Sequence, residues 1–139
     1  LKQMTSKNIL SGAKELVLEI KRRGIKTAIA SVSKNTRTVL RGTGIEDLFD
    51  VIVDGYSVKN TKPAPDIFLF AAKELGVKPE DCVVIEDAEA GIEAALAGKM
   101  IPIGIGPEER VGKARYRFEK IGDITLTKLS EIISDGRFY

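Results

Sequence analysis

The 139 residues contain no histidine, no tryptophan and a single cysteine. Each absence removes a class of chemistry. Without histidine there is no histidine-based triad and no histidine metal ligand, which leaves carboxylates, lysines and hydroxyls as catalysts. One cysteine, Cys82, cannot build a disulfide framework, which fits a reducing compartment such as the cytoplasm. In an expected buried strand it reads as a small core hydrophobe before it reads as a nucleophile. No apolar run approaches membrane-spanning length, and the amino end carries no signal-peptide pattern. An excess of one charge is lacking too. With 22 Lys and Arg against 20 Asp and Glu, the net charge of +2 gives no reason to invoke nucleic acid or an acidic membrane surface. The basic cluster Lys21-Arg22-Arg23 stands where it closes a helix and complements the helix dipole.

What is present is enough for one domain: 43% hydrophobic and 30% charged residues in a chain long enough to bury a core. Residues 1–10 are polar and without periodicity, and read as a connector into a core over 11–139. Ser11 can cap a helix whose face carries Ala13, Leu16, Val17 and Ile20, with Gly24 as its stop. Lys26 to Ser31 reads as a buried strand, and Ser33 opens a helix through Leu40. Phe49 to Val53 is a second strand, and Pro65 sits in the first turn of a helix that runs to Leu75 before Gly76. Val83-Val84-Ile85 is a strand leading to a helix over 90–97, Met100 to Ile105 is another strand, and Ile124 to Leu126 a short last one. Strand and helix alternate throughout. That predicts an α/β fold, a doubly wound parallel sheet with helices on both faces. One turn is awkward: in Gly98-Lys99-Met100, a left-handed lysine costs about 1 kcal/mol, unless Gly98 takes that role.

Three polar groups fall where strands end, the place where open α/β sheets hold ligands. Ser31-Val32-Ser33-Lys34-Asn35 offers hydroxyls, successive N–H groups and a lysine, a phosphate cradle or simply a serine-capped helix. Lys62 lies in Thr61-Lys62-Pro63-Ala64-Pro65-Asp66, where two prolines restrict its backbone. A rigidly presented ammonium suits a phosphate or carboxylate clamp, although an exposed loop lysine looks the same in sequence. Glu86 and Asp87 are adjacent acids that need a cation or protons to offset their repulsion, and hard oxygens at a strand end fit magnesium. A solvated helix N-terminus is the plainer account of the same pair. Gly104-Ile105-Gly106 lacks the third glycine of a dinucleotide fingerprint and reads as a loop signal.

The order of these groups, hydroxyl then lysine then acidic pair, resembles the haloacid dehalogenase superfamily of phosphotransferases, most closely its β-phosphoglucomutase branch. The resemblance rests on the Ser31–Asn35 run, Lys62-Pro63-Ala64-Pro65-Asp66-Ile67-Phe68 and Ile85-Glu86-Asp87-Ala88-Glu89-Ala90-Gly91-Ile92, and covers nearly the whole chain. It implies a Rossmann-like core in which Ser31 and the amide of Val32 hold the phosphoryl group in transfer. Lys62 would neutralise that group, and Glu86 and Asp87 would bind Mg2+. Ser33, Lys34 and Asn35 would grip the second phosphate of a bisphosphorylated sugar, which tilts the reading toward an isomerase. Such an enzyme interconverts β-glucose 1-phosphate and glucose 6-phosphate through an aspartyl-phosphate. A phosphatase acting on sugar phosphates or small phosphomonoesters stays open, as does a catalytically silent phosphate-binding module. A response-regulator receiver shares the residue types, but its acids are expected early and its lysine last.

The superfamily's chemistry begins at an Asp-x-Asp motif on the first strand, and no Asp-x-Asp occurs in the 139 residues. On this reading the fold is incomplete at the amino end, residues 1–10 return from a missing cap, and the chain alone is expected to be inactive. The missing strand would leave a slot of about 10 Å between the strands ending at Ser31 and Glu86. An amino-terminal segment, a swapped strand or direct pairing of the two strands would have to fill it, because unpaired buried edges cost about 1–3 kcal/mol per group.

Overall fold

The computed structural model describes residues 14–30, 46–53 and 58–136. Helix α1 (Lys14–Arg22) is amphipathic, burying Leu16 and Val17, and ends in a basic turn before Gly24. Strand β1 (Ala28–Ala30) follows, then a 3-10 turn and β2 (Val51–Val53). Helix α2 (Asp66–Leu75) buries Ile67, Phe68, Ala71 and Ala72 and is closed by Gly76. Next come β3 (Val83–Glu86), α3 (Glu89–Ala97), β4 (Ile101–Ile105) and the single turn α4 (Glu108–Val111). Strand β5 (Tyr116–Phe118) and helix α5 (Leu126–Gly136) complete the described chain.

Among the described residues the strand pairs are all parallel, and they form two sheets. β1 pairs with β2, and β3-β4-β5 is the second ladder. Among the described residues no ladder joins β1 to β3, so the direct pairing considered from the sequence is not found there. Side chains make the connection instead. Ala30 and Val53 of the first sheet share one core with Val84 of the second, beneath Ile67, Phe68 and Ala71 of α2 and Ala94 and Ala95 of α3. On the other face Leu16 of α1 packs with Ile103, Leu129 and Ile132, the last two from α5. Helices therefore cover both faces, and no described helix is long and apolar enough to cross a membrane.

Pro102 stands inside the central strand β4, where proline removes a donor. Ile101 N–H donates to Cys82 O at 3.0 Å, so the next nitrogen faces the opposite side. There β5 begins only opposite Ile103, and no bond is forfeited.

Three expectations need correction. Ile124–Leu126 is not a strand. Thr125 accepts the Lys128 N–H on its hydroxyl at 3.1 Å and the Leu129 N–H on its carbonyl at 2.9 Å, which starts α5 at Leu126. The last strand is Tyr116-Arg117-Phe118, whose flanking charges hid it in the sequence. Pro65 precedes α2 rather than lying in its first turn, and its carbonyl takes the Leu69 N–H at 2.9 Å. Cys82 comes just before β3 and is only partly buried; burial, then Asp81 and Glu80, raise its thiol pKa, away from nucleophilic behaviour.

The awkward turn is resolved in favour of lysine. Lys99 takes the left-handed conformation at φ 61°, while Gly98 stays at φ −84°. Lys99→Gly is therefore expected to raise unfolding free energy by about 0.5 kcal/mol or less, strain relief of about 1 kcal/mol being largely offset by added chain entropy. Urea titration with an unchanged slope would read this out, and a loss of stability would contradict the strain assignment.

Candidate functional site

The carboxyl end of β3 delivers Glu86 into the protein, with 1% of its surface exposed. A lone buried carboxylate would be intolerable, and here both of its oxygens accept hydrogen bonds. Lys62 Nζ donates to Oε2 at 2.8 Å, in an ion pair whose side chains are 2% and 0% exposed. Oε1 accepts the N–H groups of Asp87 and Ala88, both at 3.1 Å. The carboxylate thereby holds the turn that follows it as well as the lysine.

Lys62 comes from the loop between β2 and α2. Asp66, in the first turn of α2, accepts the Asn60 N–H at 3.2 Å and its side-chain amide at 3.1 Å, which ties the loop around the lysine. The Lys62–Pro63 peptide bond is cis. The ammonium also lies 4.7 Å from the centre of the Phe68 ring, so it sits between an aromatic face and a carboxylate. Gly91, in the first turn of α3, passes directly against Glu86: a Cβ there would fall 2.1 Å from its Cδ. Only glycine lets the helix start so close to the acid.

The two adjacent acids live under different conditions. Burial opposes ionisation of Glu86, but the Lys62 ammonium and the hydrogen bonds from Lys62 and Asp87 hold its pKa below the usual range. Burial pushes the pKa of Asp87 up, and the neighbouring Glu86 carboxyl adds to that. A half-buried carboxylate short of positive charge is a hard-oxygen donor that a divalent cation would relieve. The set fits Mg2+, which takes one or two carboxylates and completes its shell with water and phosphate oxygens.

Of the residues singled out in the sequence, the fold brings Lys62, Glu86 and Asp87 together. Ser31, Val32, Ser33, Lys34 and Asn35 lie outside the described residues. Sequence reasoning assigned no role to Phe68, Gly91 or Arg110, whose guanidinium Nε donates to the Asp87 carbonyl at 2.7 Å. Only Gly91 left a sequence signal, a glycine inside an otherwise helical pattern.

Residues 4–99 match the model of the haloacid dehalogenase-like hydrolases. A β-phosphoglucomutase of Bacillus subtilis is 39% identical over 131 residues, 94% of this chain and 58% of that protein. The "phosphorylated carbohydrates phosphatase" of Thermotoga maritima is 36% identical over 126 residues, 88% of this chain and 57% of its own length. Among solved structures, a β-phosphoglucomutase from Clostridium difficile superposes with a TM-score of 0.91 at 37% identity, covering 99% of this chain and 61% of its own. The chain thus spans little more than half the length of the relatives it matches.

The opposite settings of the two acids give opposite pH signatures in metal-free buffer. Glu86, depressed in the fold, contributes stability above the unfolded glutamate pKa that disappears as pH falls through its folded value. Glu86→Gln is therefore expected to destabilise at pH 7 and progressively less in acid. Asp87 is raised, so its ionisation weighs against the fold once pH exceeds the unfolded aspartate value. Asp87→Asn should stabilise at pH 7, with the gain vanishing below the ordinary carboxylate range. Urea unfolding from pH 3 to 8 with chelator checks both signs. Lys62→Met, which strands the Glu86 charge, should cost about 3–5 kcal/mol at pH 7, and Lys62→Met with Glu86→Gln should recover part of it.

Proposed function

We propose that this chain, which belongs to the haloacid dehalogenase-like hydrolase family, works as the phosphoryl-transfer core of a sugar-phosphate mutase. The observation that carries the reading is the convergence of Lys62, Glu86 and Asp87 at one strand end, where the Lys62 ammonium and the Asp87 N–H both bond the Glu86 carboxylate. In that role Asp87 offers its carboxylate directly to Mg2+. Glu86 Oε1 accepts two N–H groups and Oε2 accepts Lys62, so Glu86 offers the metal the remaining lone pair of Oε2 together with its negative charge. Bound magnesium would supply charge neutralisation to the phosphoryl oxygens. Lys62 adds a positive charge to the same group from a position its ion pair and the Phe68 ring keep constant.

Ser31 and the Val32 amide are assigned to the phosphoryl group in transfer, and Ser33, Lys34 and Asn35 to the second phosphate of the sugar. The substrate class is a phosphorylated sugar, with β-glucose 1-phosphate and glucose 6-phosphate as the pair interconverted. The similarity to β-phosphoglucomutases over 94% of the chain supports this. The similarity to a carbohydrate-phosphate phosphatase supports hydrolysis as the second reading. No Asp-x-Asp occurs among these 139 residues, so on this reading the aspartyl nucleophile is supplied by a further segment.

A coupled assay for glucose 6-phosphate formation separates the readings. The 139-residue chain by itself should show no turnover. Joined to a segment carrying the Asp-x-Asp strand and cap, it should be active, and chelation should abolish the activity. In that enzyme Lys62→Ala should depress both isomerisation and hydrolysis of a small monophosphate. Lys34→Ala should lower isomerisation alone, by about ten- to a hundredfold, the worth of one charge-assisted hydrogen bond. Isomerisation unaffected by Lys34→Ala would hand the assignment to the phosphatase.

A further inference from the structure

The carboxyl end of β4 holds two glycines that the acidic site does not explain. Gly104 lies opposite Glu86 in the ladder, and a Cβ on it would meet Val111 Cβ at 2.7 Å. That clearance seats the one-turn helix α4 on the strand, where Val111 is fully buried with Ile92 and Ala114. Gly106 stands at φ 122°, a conformation side chains rarely adopt, and a Cβ there would fall 2.1 Å from Arg110 Nη2. Its backbone is held on both sides: its N–H donates to Phe118 O at 2.9 Å, and its carbonyl accepts Arg117 Nη1 at 2.8 Å. Arg110, the residue beside the anchored Val111, crosses this bare glycine and donates from Nε to the Asp87 carbonyl at 2.7 Å.

From this geometry we infer that Arg110 is a positioning residue for Asp87, acting through its main-chain carbonyl, with Gly106 as the passage for the guanidinium. The inference rests on the reading of Asp87 as the magnesium ligand. Glu86 Oε1 holds the N–H of each peptide group flanking the aspartate, and the arginine adds a restraint from the other side, on the carbonyl of the second group. A planar guanidinium suits this task, because it can lie flat across the bare glycine while its Nε reaches the carbonyl. The exposed guanidinium contributes little stability there, since surface contacts of this kind are weak. Its effect is to narrow the directions open to the Asp87 carboxylate before any cation arrives.

Two readouts on the full 139-residue chain test this. In metal-free protein, three-bond couplings should report one χ1 rotamer for Asp87 in the wild type and averaging in Arg110→Ala. Arg115→Ala, which removes an arginine whose guanidinium lies over the Tyr116 ring, should leave the single rotamer intact. Titration with Mn2+ followed by electron paramagnetic resonance should then show about tenfold weaker binding in Arg110→Ala, as for other outer-shell partners. The urea midpoint should barely move. Averaging already present in the wild type, a single rotamer retained in Arg110→Ala, or equal averaging in Arg115→Ala would each overturn the inference. Equal Mn2+ binding by wild type and Asp87→Asn would instead remove the metal reading, while the couplings still decide the role of Arg110.

Discussion

The buried pair between Lys62 and Glu86 is the constraint from which the rest of the site is organised. An ion pair with 2% and 0% side-chain exposure gains little net stability, because desolvation offsets most of the attraction. What it provides is position. Glu86 can be charged inside the protein only if the β2–α2 loop brings Lys62 to it, α3 starts on Gly91, and the next two N–H groups turn back toward its carboxylate. Three separate stretches of chain are thereby held to one point. The charge that could not be left alone is also the charge that fixes the geometry.

Packing supports the same arrangement from below. The two parallel sheets have no ladder between them among the described residues, yet α2 and α3 lie over both through one apolar core. Phe68 belongs to that core and also presents its ring to the Lys62 ammonium. A core side chain and a site side chain are thus the same residue, so a cavity at Phe68 would be felt at the ion pair. Burial and placement of charge are coupled in this region, which is how a raised and a depressed carboxyl can be neighbours in sequence.

Much of this was legible because strand ends and helix starts leave chemical marks. Val83-Val84-Ile85 is an apolar run, and Glu86-Asp87 breaks it with two acids, so both the strand and its functional end were readable. The prolines around Lys62 marked a constrained loop. Invisible in sequence was that Lys62 would face Glu86 across 24 residues, since the pairing depends on how α2 packs. Arg110 looked like one more surface charge for the same reason. β5 was missed because Tyr116 and Phe118 are flanked by arginine, lysine and glutamate, and Ile124 and Leu126 imitated a strand that the Thr125 hydroxyl converts into a helix start. Residue pattern identifies elements that bury a continuous face; short edge strands and long-range polar contacts depend on tertiary placement.

Pro102 carries a consequence for how the last strand finds its place. A parallel strand that slips by one residue turns its inward side chains outward, so only a two-residue slip preserves the faces of β5. In the present register Phe118 O takes the Gly106 N–H. Moved two residues toward the start of β4, β5 would bring the Tyr116 carbonyl opposite the Pro102 nitrogen, which has no hydrogen to give. The misaligned ladder would begin on an unanswered carbonyl, a cost of about 1–3 kcal/mol if it were buried. The proline is thus an end-stop that rejects this error by omission, at a position where the correct pairing never needs a donor.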